Sequence, residues 1–359
     1  MSYVVGIDVG TQSAKGLLMN RKGEIIEQAS SAYPLSQPYP LWAEQNPDDW
    51  FNAVAEIIHE ILAKVDGNDV RALCVSTLYG GAGVPVDRSI TPIHPCLIWM
   101  DRRATDQVDK INQNVDTQRL FSVSGNGCDS YFGYTKMLRL KEHKPDVWQK
   151  THYFLPPNSY INYRLTGEIA IDHSSAANIG GLYDMHNRDW SEETASLLGI
   201  PLSMMPQRLL YSGEVVGHLT NEMSTLFGLP NTLPVLAGGV DAAMSTYAAG
   251  VCGPGEHVAM IGSSMCWGFI HHEANAKNGL VSMPHVVNGH QGIYMFGGAM
   301  TAGASVSWFI NNFCALDKHL SQQTGENVHA LLTAKYVALI SRFFDGLFYR
   351  LRFYIALSF

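Results

Sequence analysis

Val4-Val5-Gly6-Ile7-Asp8-Val9-Gly10-Thr11-Gln12-Ser13-Ala14-Lys15 runs from an apolar strand into an acid and then into small, hydroxyl-bearing turn residues. Val4, Val5 and Ile7 favour a buried strand. Gly10 lets the backbone turn sharply and approach a ligand with no side chain in the way. The loop then offers donors: backbone N–H groups and the Thr11 and Ser13 hydroxyls can hold phosphate oxygens. Lys15 can add positive charge, and Asp8 can hold a metal ion through water. The same residues also fit a core strand followed by a tight turn, and Lys15 also fits a solvated strand position.

Working outward, Lys15 to Met19 is a second strand. Arg21-Lys22-Gly23-Glu24 is a hairpin turn before Ile25 and Ile26, so the loop is carried by an antiparallel hairpin. Asn46-Pro47-Asp48-Asp49 starts a helix continued by Trp50, Phe51, Val54, Ile57, Ile58, Ile61 and Leu62 at helical spacing. Ala72 to Ser76 is a short strand leading into Thr77-Leu78-Tyr79-Gly80-Gly81, and such strand ends are where α/β folds place ligand-binding groups. A further apolar run, Leu97 to Met100, stops at Asp101-Arg102-Arg103, and helices fill much of 104 to 150 before Pro156-Pro157 breaks the pattern. Leu233 to Ala237 ends in Gly238-Gly239-Val240-Asp241, followed by a small-residue helix. Gly250 to Gly255 reads as a domain boundary. After it, the strand-like His257 to Ile261 stops at Gly262-Ser263-Ser264, a second loop of glycine and hydroxyls.

With 359 residues, 46% hydrophobic and 16% charged, the chain has material for a packed core and for two domains. A net charge of −8 without a long basic run offers no electrostatic reason to bind nucleic acid or an anionic membrane. The six cysteines, at 74, 96, 128, 252, 266 and 314, lack C-x-x-C spacing and indicate neither zinc nor disulfides. The start of the chain enters a strand with no apolar signal core, so a cytoplasmic location is expected.

The Asp-x-Gly-Thr loop, the Gly-Ser-Ser loop and the Gly-Gly-x-Asp between them together resemble the FGGY family of carbohydrate kinases. Further matches follow in order: Trp42 to Trp50 is similar to the family's Trp-x-Glu-Gln-x-Pro stretch, and Ile98 to Arg103 to its Trp-x-Asp-x-Arg segment near the sugar. Arg164 to Glu168, Asp172 to Ala176 and Asp184 to Trp190 match other landmarks, so the likeness extends from about residue 3 to about residue 313.

The resemblance implies an α/β chain of the ribonuclease H-like, actin-type ATPase fold, with two domains around a cleft. It places an N-terminal domain at 1–248 and part of a second domain at 249–359. It also implies a reaction in which a sugar or polyol hydroxyl attacks the γ-phosphate of ATP with Mg2+, most of the catalysis being positioning and charge neutralisation. Asp241 falls where the family's general base falls, although an aspartate there can also cap the helix that follows. Gly10, Thr11, Gln12 and Ser13 become the first phosphate loop and Gly262, Ser263 and Ser264 the second, the latter otherwise an ordinary turn. Asp8 supports magnesium through water. Tyr79, Gly80, Asp101 and Arg102 (or Arg103) face the sugar, unless Tyr79 is a packed rim aromatic and the charges form an ion pair.

Departures from the family pattern carry further expectations. Thr77-Leu78-Tyr79-Gly80 stands where many ketose kinases have Gln-Met-His-Gly, and Asn158 where many have an acid, so the sugar is expected to differ from xylulose in size or hydroxyl pattern. A pentulose-type ketose or polyol is the default. The match fades beyond Cys314, and no glycine-rich adenosine segment follows Gly303; the second domain is expected to be incomplete, ATP binding weakened and self-association, as a homodimer or larger, promoted by exposed apolar surface. The Tyr336 to Tyr354 stretch, interrupted by Arg342, Asp345, Arg350 and Arg352, is not a membrane span. A non-catalytic sugar-binding remnant is the alternative. A nuclease or hydrolase of the same fold would need a metal-binding acid cluster and a basic surface, which the charge balance disfavours.

Overall fold

The first strand, β1 (Tyr3–Val9), buries Tyr3, Val5, Ile7 and Val9 on one face, leaving Asp8 on the other by the two-residue period of a strand. It pairs antiparallel with β2 (Ser13–Asn20), which pairs antiparallel with β3 (Ile25–Ala32). The turn at Arg21 to Glu24 closes with Gly23 at φ 80°. On the other side β1 runs parallel to β4 (Val70–Thr77). Two later strands complete the sheet: β5 (Val215–His218) and β6 (Pro234–Val240), with β6 parallel to β4 and β5 antiparallel to β6. The order β5-β6-β4-β1-β2-β3 joins an antiparallel meander to two parallel strands, as the expected ribonuclease H-like, actin-type fold requires. The computed structural model of the chain describes residues 2–262, 265–274, 279–299 and 301–343.

One face of this sheet is covered by helix α1 (Pro47–Leu62), which starts where its sequence signals it: Asn46 accepts a hydrogen bond from the Asp48 N–H and Pro47 takes the first helical position. Its apolar stripe of Trp50, Phe51, Val54, Ile57, Ile58 and Ile61 packs with Val5, Ile7, Leu18, Leu73 and Val75 in one core. Burying side chains of this size contributes about 1.5–3 kcal/mol each. A second helix, α2 (Pro157–Thr166), adds Tyr160, Ile161 and Leu165 to the same core. Pro157 opens this helix, so the Pro156-Pro157 break in the sequence marks a helix start. Two shorter helices, α3 (His173–Ile179) and α4 (Asp241–Ala248), flank the ends of β6.

Internal contacts group Met1–Ala259 with Trp267–Gly297, and Met260–Cys266 with the chain from Gly298 onward. The first unit includes the pair Val281–Pro284 and Ile293–Ala299 up to Gly297. The second includes the helices Gly303–Phe313, Ala315–Thr324 and Val328–Phe343. Within it Val306, Trp308, Phe309 and Phe313 are exposed, Trp308 to 60% and Phe313 to 64%. The remainder of the expected tail, from Phe344, lies outside the described residues.

Candidate active site

The parallel strands bring two acids to one end of the sheet. Asp8 on β1 and Gly239 on β6 are both in register with Ser76 of β4, and Val9 and Val240 with Thr77. Asp241 follows immediately as the first residue of α4. The Ser76 hydroxyl donates to Asp8 Oδ1 at 2.6 Å. Burial raises the Asp8 carboxyl above the usual aspartate range, opposed by that hydrogen bond and by Lys15. Lys15 is exposed and stands directly across the β1–β2 pair from Asp8.

Asp241 is pushed up to about 7, first by burial and then by the charge of Asp8, while a hydrogen bond from the Ala242 N–H opposes the rise. The residue as a whole is half-buried, yet protein surrounds the carboxyl closely enough to favour its neutral form. The N-cap of α4 is Val240, with no side-chain cap bond, and among the described residues the Asp241 carboxyl accepts only from the neighbouring Ala242 N–H at 2.7 Å. The helix-cap reading of Asp241 is therefore not what the geometry shows.

A buried polar network fixes the strand end that presents Asp241. Asp172 caps α3 by accepting from the Ser175 N–H at 2.9 Å, and both the Ser174 hydroxyl and the Asn158 amide donate to its carboxylate. Ser174 Oγ in turn accepts the Val240 N–H at 3.0 Å. Asn162 Nδ2 donates to the Ala237 carbonyl at 3.1 Å. Gly238 passes through with φ 68°, and a Cβ there would lie 1.8 Å from the Val75 carbonyl oxygen. Asn158 thus serves the network behind Asp241, a role its sequence position does not announce.

The loop between β1 and β2 is held from outside. The Tyr33 hydroxyl donates to the Gly10 carbonyl at 2.5 Å and its N–H to the Gln12 carbonyl at 3.2 Å. Gln45 Nε2 donates to the Thr11 carbonyl at 2.7 Å, and Trp50 Nε1 donates to Gln45 Oε1 at 3.2 Å. Trp99 Nε1 donates to Thr11 Oγ1 at 3.1 Å. Ser13 is the first residue of β2 and its carbonyl accepts the Gly10 N–H. Burial, with the charges of Asp8 and Asp241, raises the Tyr33 hydroxyl pKa. Sequence reading passes over Tyr33, because only the pairing of Ser13 with Ala32 sets the next residue beside the loop.

The residues expected at the sugar behave differently from one another. Tyr79 is 6% exposed, with its ring 4.8 Å from that of Tyr131, and burial raises its pKa. A Cβ on Gly80 would lie 2.3 Å from Pro157, so only glycine fits there. Asp101 is fully buried and points inward: it accepts from the Ala43 N–H at 2.8 Å and pairs with Arg103 at 2.6 Å. Arg103 also pairs with Glu44 at 2.8 Å and lies 3.6 Å over the Trp42 ring. The Trp42 to Gln45 and Trp99 to Arg103 stretches therefore knot together behind the loop, and the ion-pair reading describes Asp101. Arg102 is at the surface, paired with Asp129 and 5.8 Å over Tyr131. Lys136, which the sequence does not mark, is buried and donates to the Ser130 and Tyr131 carbonyls at 2.6 and 2.7 Å; burial lowers its pKa to about 7.

In the second unit, the Gly262 carbonyl accepts the Gly303 N–H at 2.9 Å. Ser263 and Ser264 lie outside the described residues. Among the described residues no three metal-ligating side chains cluster. A lone Asp8 fits an ion held largely by water and phosphate, as Mg2+ commonly is.

A model of the FGGY family of carbohydrate kinases, N-terminal domain, matches residues 3–248. The chain is similar to xylulose kinase of Bacillus subtilis (strain 168), 30% identical over 319 residues that cover 87% of this chain and 62% of that protein. It is similar to L-fuculokinase of Escherichia coli (strain K12), 29% identical over 249 residues, 69% of this chain and 52% of that protein. Among solved structures, xylulose kinase from Rhodospirillum rubrum aligns with TM-score 0.82 and 28% identity over 92% of this chain and 66% of that one. Plasmodium falciparum glycerol kinase with ADP aligns with TM-score 0.79 and 19% identity over 87% of this chain and 64% of that one, a likeness of fold. The chain spans less than two thirds of the length of these relatives.

Proposed function

The chain belongs to the FGGY family of carbohydrate kinases, and from that premise we propose that it transfers the γ-phosphoryl group of ATP to a hydroxyl of a sugar or polyol. The observation that carries this reading is the meeting of Asp8, Ser76 and Asp241 at one end of the parallel strands, beside a loop rich in donors. The acceptor hydroxyl attacks the γ-phosphorus, the bond to the ADP oxygen breaks, and the hydroxyl proton passes to Asp241. With a pKa of about 7, Asp241 is substantially ionised at neutral pH and basic enough to accept that proton. The Thr11 and Ser13 hydroxyls and the loop N–H groups orient the phosphate chain, with the Gly262 to Ser264 loop as the second phosphate contact. Mg2+, when bound with ATP, neutralises phosphate charge, and Asp8 would hold it through water.

Residues 1–248 form the domain that carries the sugar and the base in this reading, and 249–359 contribute part of a second, nucleotide-binding domain. The xylulose kinase relatives support a pentulose-type ketose, with a polyol as the neighbouring class; Tyr79 and Arg102 bound the acceptor's size and hydroxyl pattern. A cytoplasmic location is part of the proposal. No helix among the described residues is long and apolar enough to cross a membrane. Self-association through the exposed Trp308 and Phe313 face is expected in light scattering of the purified chain.

The test is ADP release with Mg-ATP across ketoses, polyols and sugar acids, using Asp241→Asn as control. Turnover that depends on one sugar and falls by about 10²–10⁴-fold in the variant is the expected result. Folded protein that turns over no sugar above the variant overturns the proposal and leaves the sugar-binding remnant in its place.

A further inference from the structure

The three successive carbonyls of the phosphate loop are all occupied: Gly10 by the Tyr33 hydroxyl, Thr11 by the Gln45 amide and Gln12 by the Tyr33 N–H. The Thr11 and Gln12 N–H groups, by contrast, donate to none of the described residues. Each carbonyl already has a protein donor, and the two N–H donors are kept. An indole N–H can only donate, whereas a threonine hydroxyl has two lone pairs and one proton. When Trp99 Nε1 donates to Thr11 Oγ1, that oxygen acts as the acceptor and its own proton remains for another partner. Among the described residues no acceptor takes it. Trp99 is itself anchored, its backbone N–H donating to the Tyr79 carbonyl at 3.1 Å.

We propose that Trp99 is a positioning residue for phosphoryl transfer: by filling an acceptor site of the Thr11 hydroxyl it turns that hydroxyl's proton outward as a donor to a phosphate oxygen. The proposal rests on the kinase reading above and adds a part to it. A phosphate oxygen accepts and does not donate at neutral pH, so a loop whose carbonyls are engaged by the protein and whose N–H groups are kept presents it with matched groups. An unconstrained threonine would lose part of this advantage by rotating its hydroxyl toward a neighbouring acceptor. The link also joins the segment that follows Tyr79 to the phosphate loop, across 88 residues of sequence.

The test uses the full chain labelled with ¹⁵N-tryptophan. The Trp99 indole resonance is identified by its loss in Trp99→Phe, which keeps an aromatic ring and removes the donor. In Thr11→Val, which removes the hydroxyl at similar volume, that resonance is expected to move upfield and exchange faster; in Thr11→Ser it should stay near its original position. Millimolar Mg-ATP is expected to shift it in the original chain and not in Thr11→Val. In turnover, Trp99→Phe should lower kcat by about 3- to 10-fold, the scale of one oriented hydrogen bond, and add nothing further in the Thr11→Val background. An indole resonance indifferent to Thr11→Val overturns the hydrogen bond. One that responds to Thr11→Val but not to Mg-ATP overturns the donation to phosphate, as do kinetic losses that multiply in the double variant. Absence of turnover with every sugar refutes the kinase reading, while the indole resonances still judge the role of Trp99.

Discussion

Replacing Asp241 by asparagine should make the chain more stable, and more so at high pH. The ordinary aspartate value is 3.8 and Asp241 is pushed up to about 7. Each tenfold change in proton affinity corresponds to about 1.4 kcal/mol, so folding with this carboxyl ionised costs of order 4 kcal/mol, less whatever solvent screening removes. Below pH 3.8 the group is neutral in the folded and unfolded chains alike and imposes no penalty. Between 3.8 and 7 the unfolded chain releases the proton while the folded chain keeps it, so stability declines as pH rises; above 7 the loss is complete. Asparagine has nearly the same shape and no charge at any pH. Linkage then gives Asp241→Asn a gain of about 2 kcal/mol at pH 5 and about 4 kcal/mol at pH 8.5. Urea unfolding followed by tryptophan fluorescence at the two pH values measures the difference as a shift in midpoint at constant slope. A gain that is the same at both pH values, or a loss at pH 8.5, refutes an enclosed, charge-crowded Asp241. The same substitution removes the proposed base, so activity should fall as stability rises.

The coupling with Asp8 is separately measurable: in an Asp8→Asn background the pH 8.5 advantage of Asp241→Asn should shrink, and full additivity of the two substitutions would show that the charges do not interact. If Asp241 is the base, kcat/KM rises with pH through about 7, because only the ionised carboxylate accepts a proton; a flat profile from pH 5.5 to 8.5 assigns the base elsewhere. Gly238→Ala combines φ 68° with a Cβ 1.8 Å from the Val75 carbonyl, and should cost roughly 3 kcal/mol or more in thermal or urea unfolding. Gly228→Ala has a similar φ of 64° but no atom within 4 Å of the added Cβ, and should cost only about 1–2 kcal/mol; equal losses would show that the clash with β4 contributes nothing.

The parts of this molecule legible in its sequence are those set by local chemistry. The β2–β3 hairpin follows from apolar runs and an Arg21 to Glu24 turn, and α1 from the Asn46-Pro47 start and its apolar stripe. The run Leu97 to Met100 is apolar throughout, yet of it only Leu97, with Cys96, pairs in a strand, against Glu44–Gln45. The chain then turns so that Asp101 accepts from Arg103, two residues on, and from Ala43, 58 residues away in sequence. Two adjacent glycines suggest that the strand ends at Ala237, but β6 continues to Val240, because Gly238 passes closely over Val75 and Ser174 accepts the Val240 N–H. Charge alone could not tell Asp101, turned inward to Arg103, from Arg102, left at the surface. The hydrogen bonds of Tyr33 and Trp99 to the loop span 23 and 88 residues, and no spacing rule reaches that far.

These tertiary contacts also explain how the chain tolerates a site that opposes folding. Asp8 and Asp241 raise each other's energy, and among the described residues neither is paired with a cation at close range; Lys15 is exposed and acts on Asp8 without a direct bond. The compensation comes from the same strands. β1, β4 and β6 turn Ile7, Val9, Val75 and Val235 toward the core under α1 and α2, while their ends hold the two acids. Packing of this kind fixes the backbone that presents the two carboxylates, and the Asn158–Asp172–Ser174 network resists a shift of that backbone at Val240. Weakening that network therefore should not simply destabilise the chain. A variant such as Ser174→Ala, which releases the Val240 N–H, should let Asp241 relax toward water and return its pKa toward 3.8 while part of the folding energy is lost. A fall in the acid limb of kcat/KM together with a lower urea midpoint is the expected pair of changes. A lower midpoint with the limb still near 7 would mean that the network supports the fold without positioning the base.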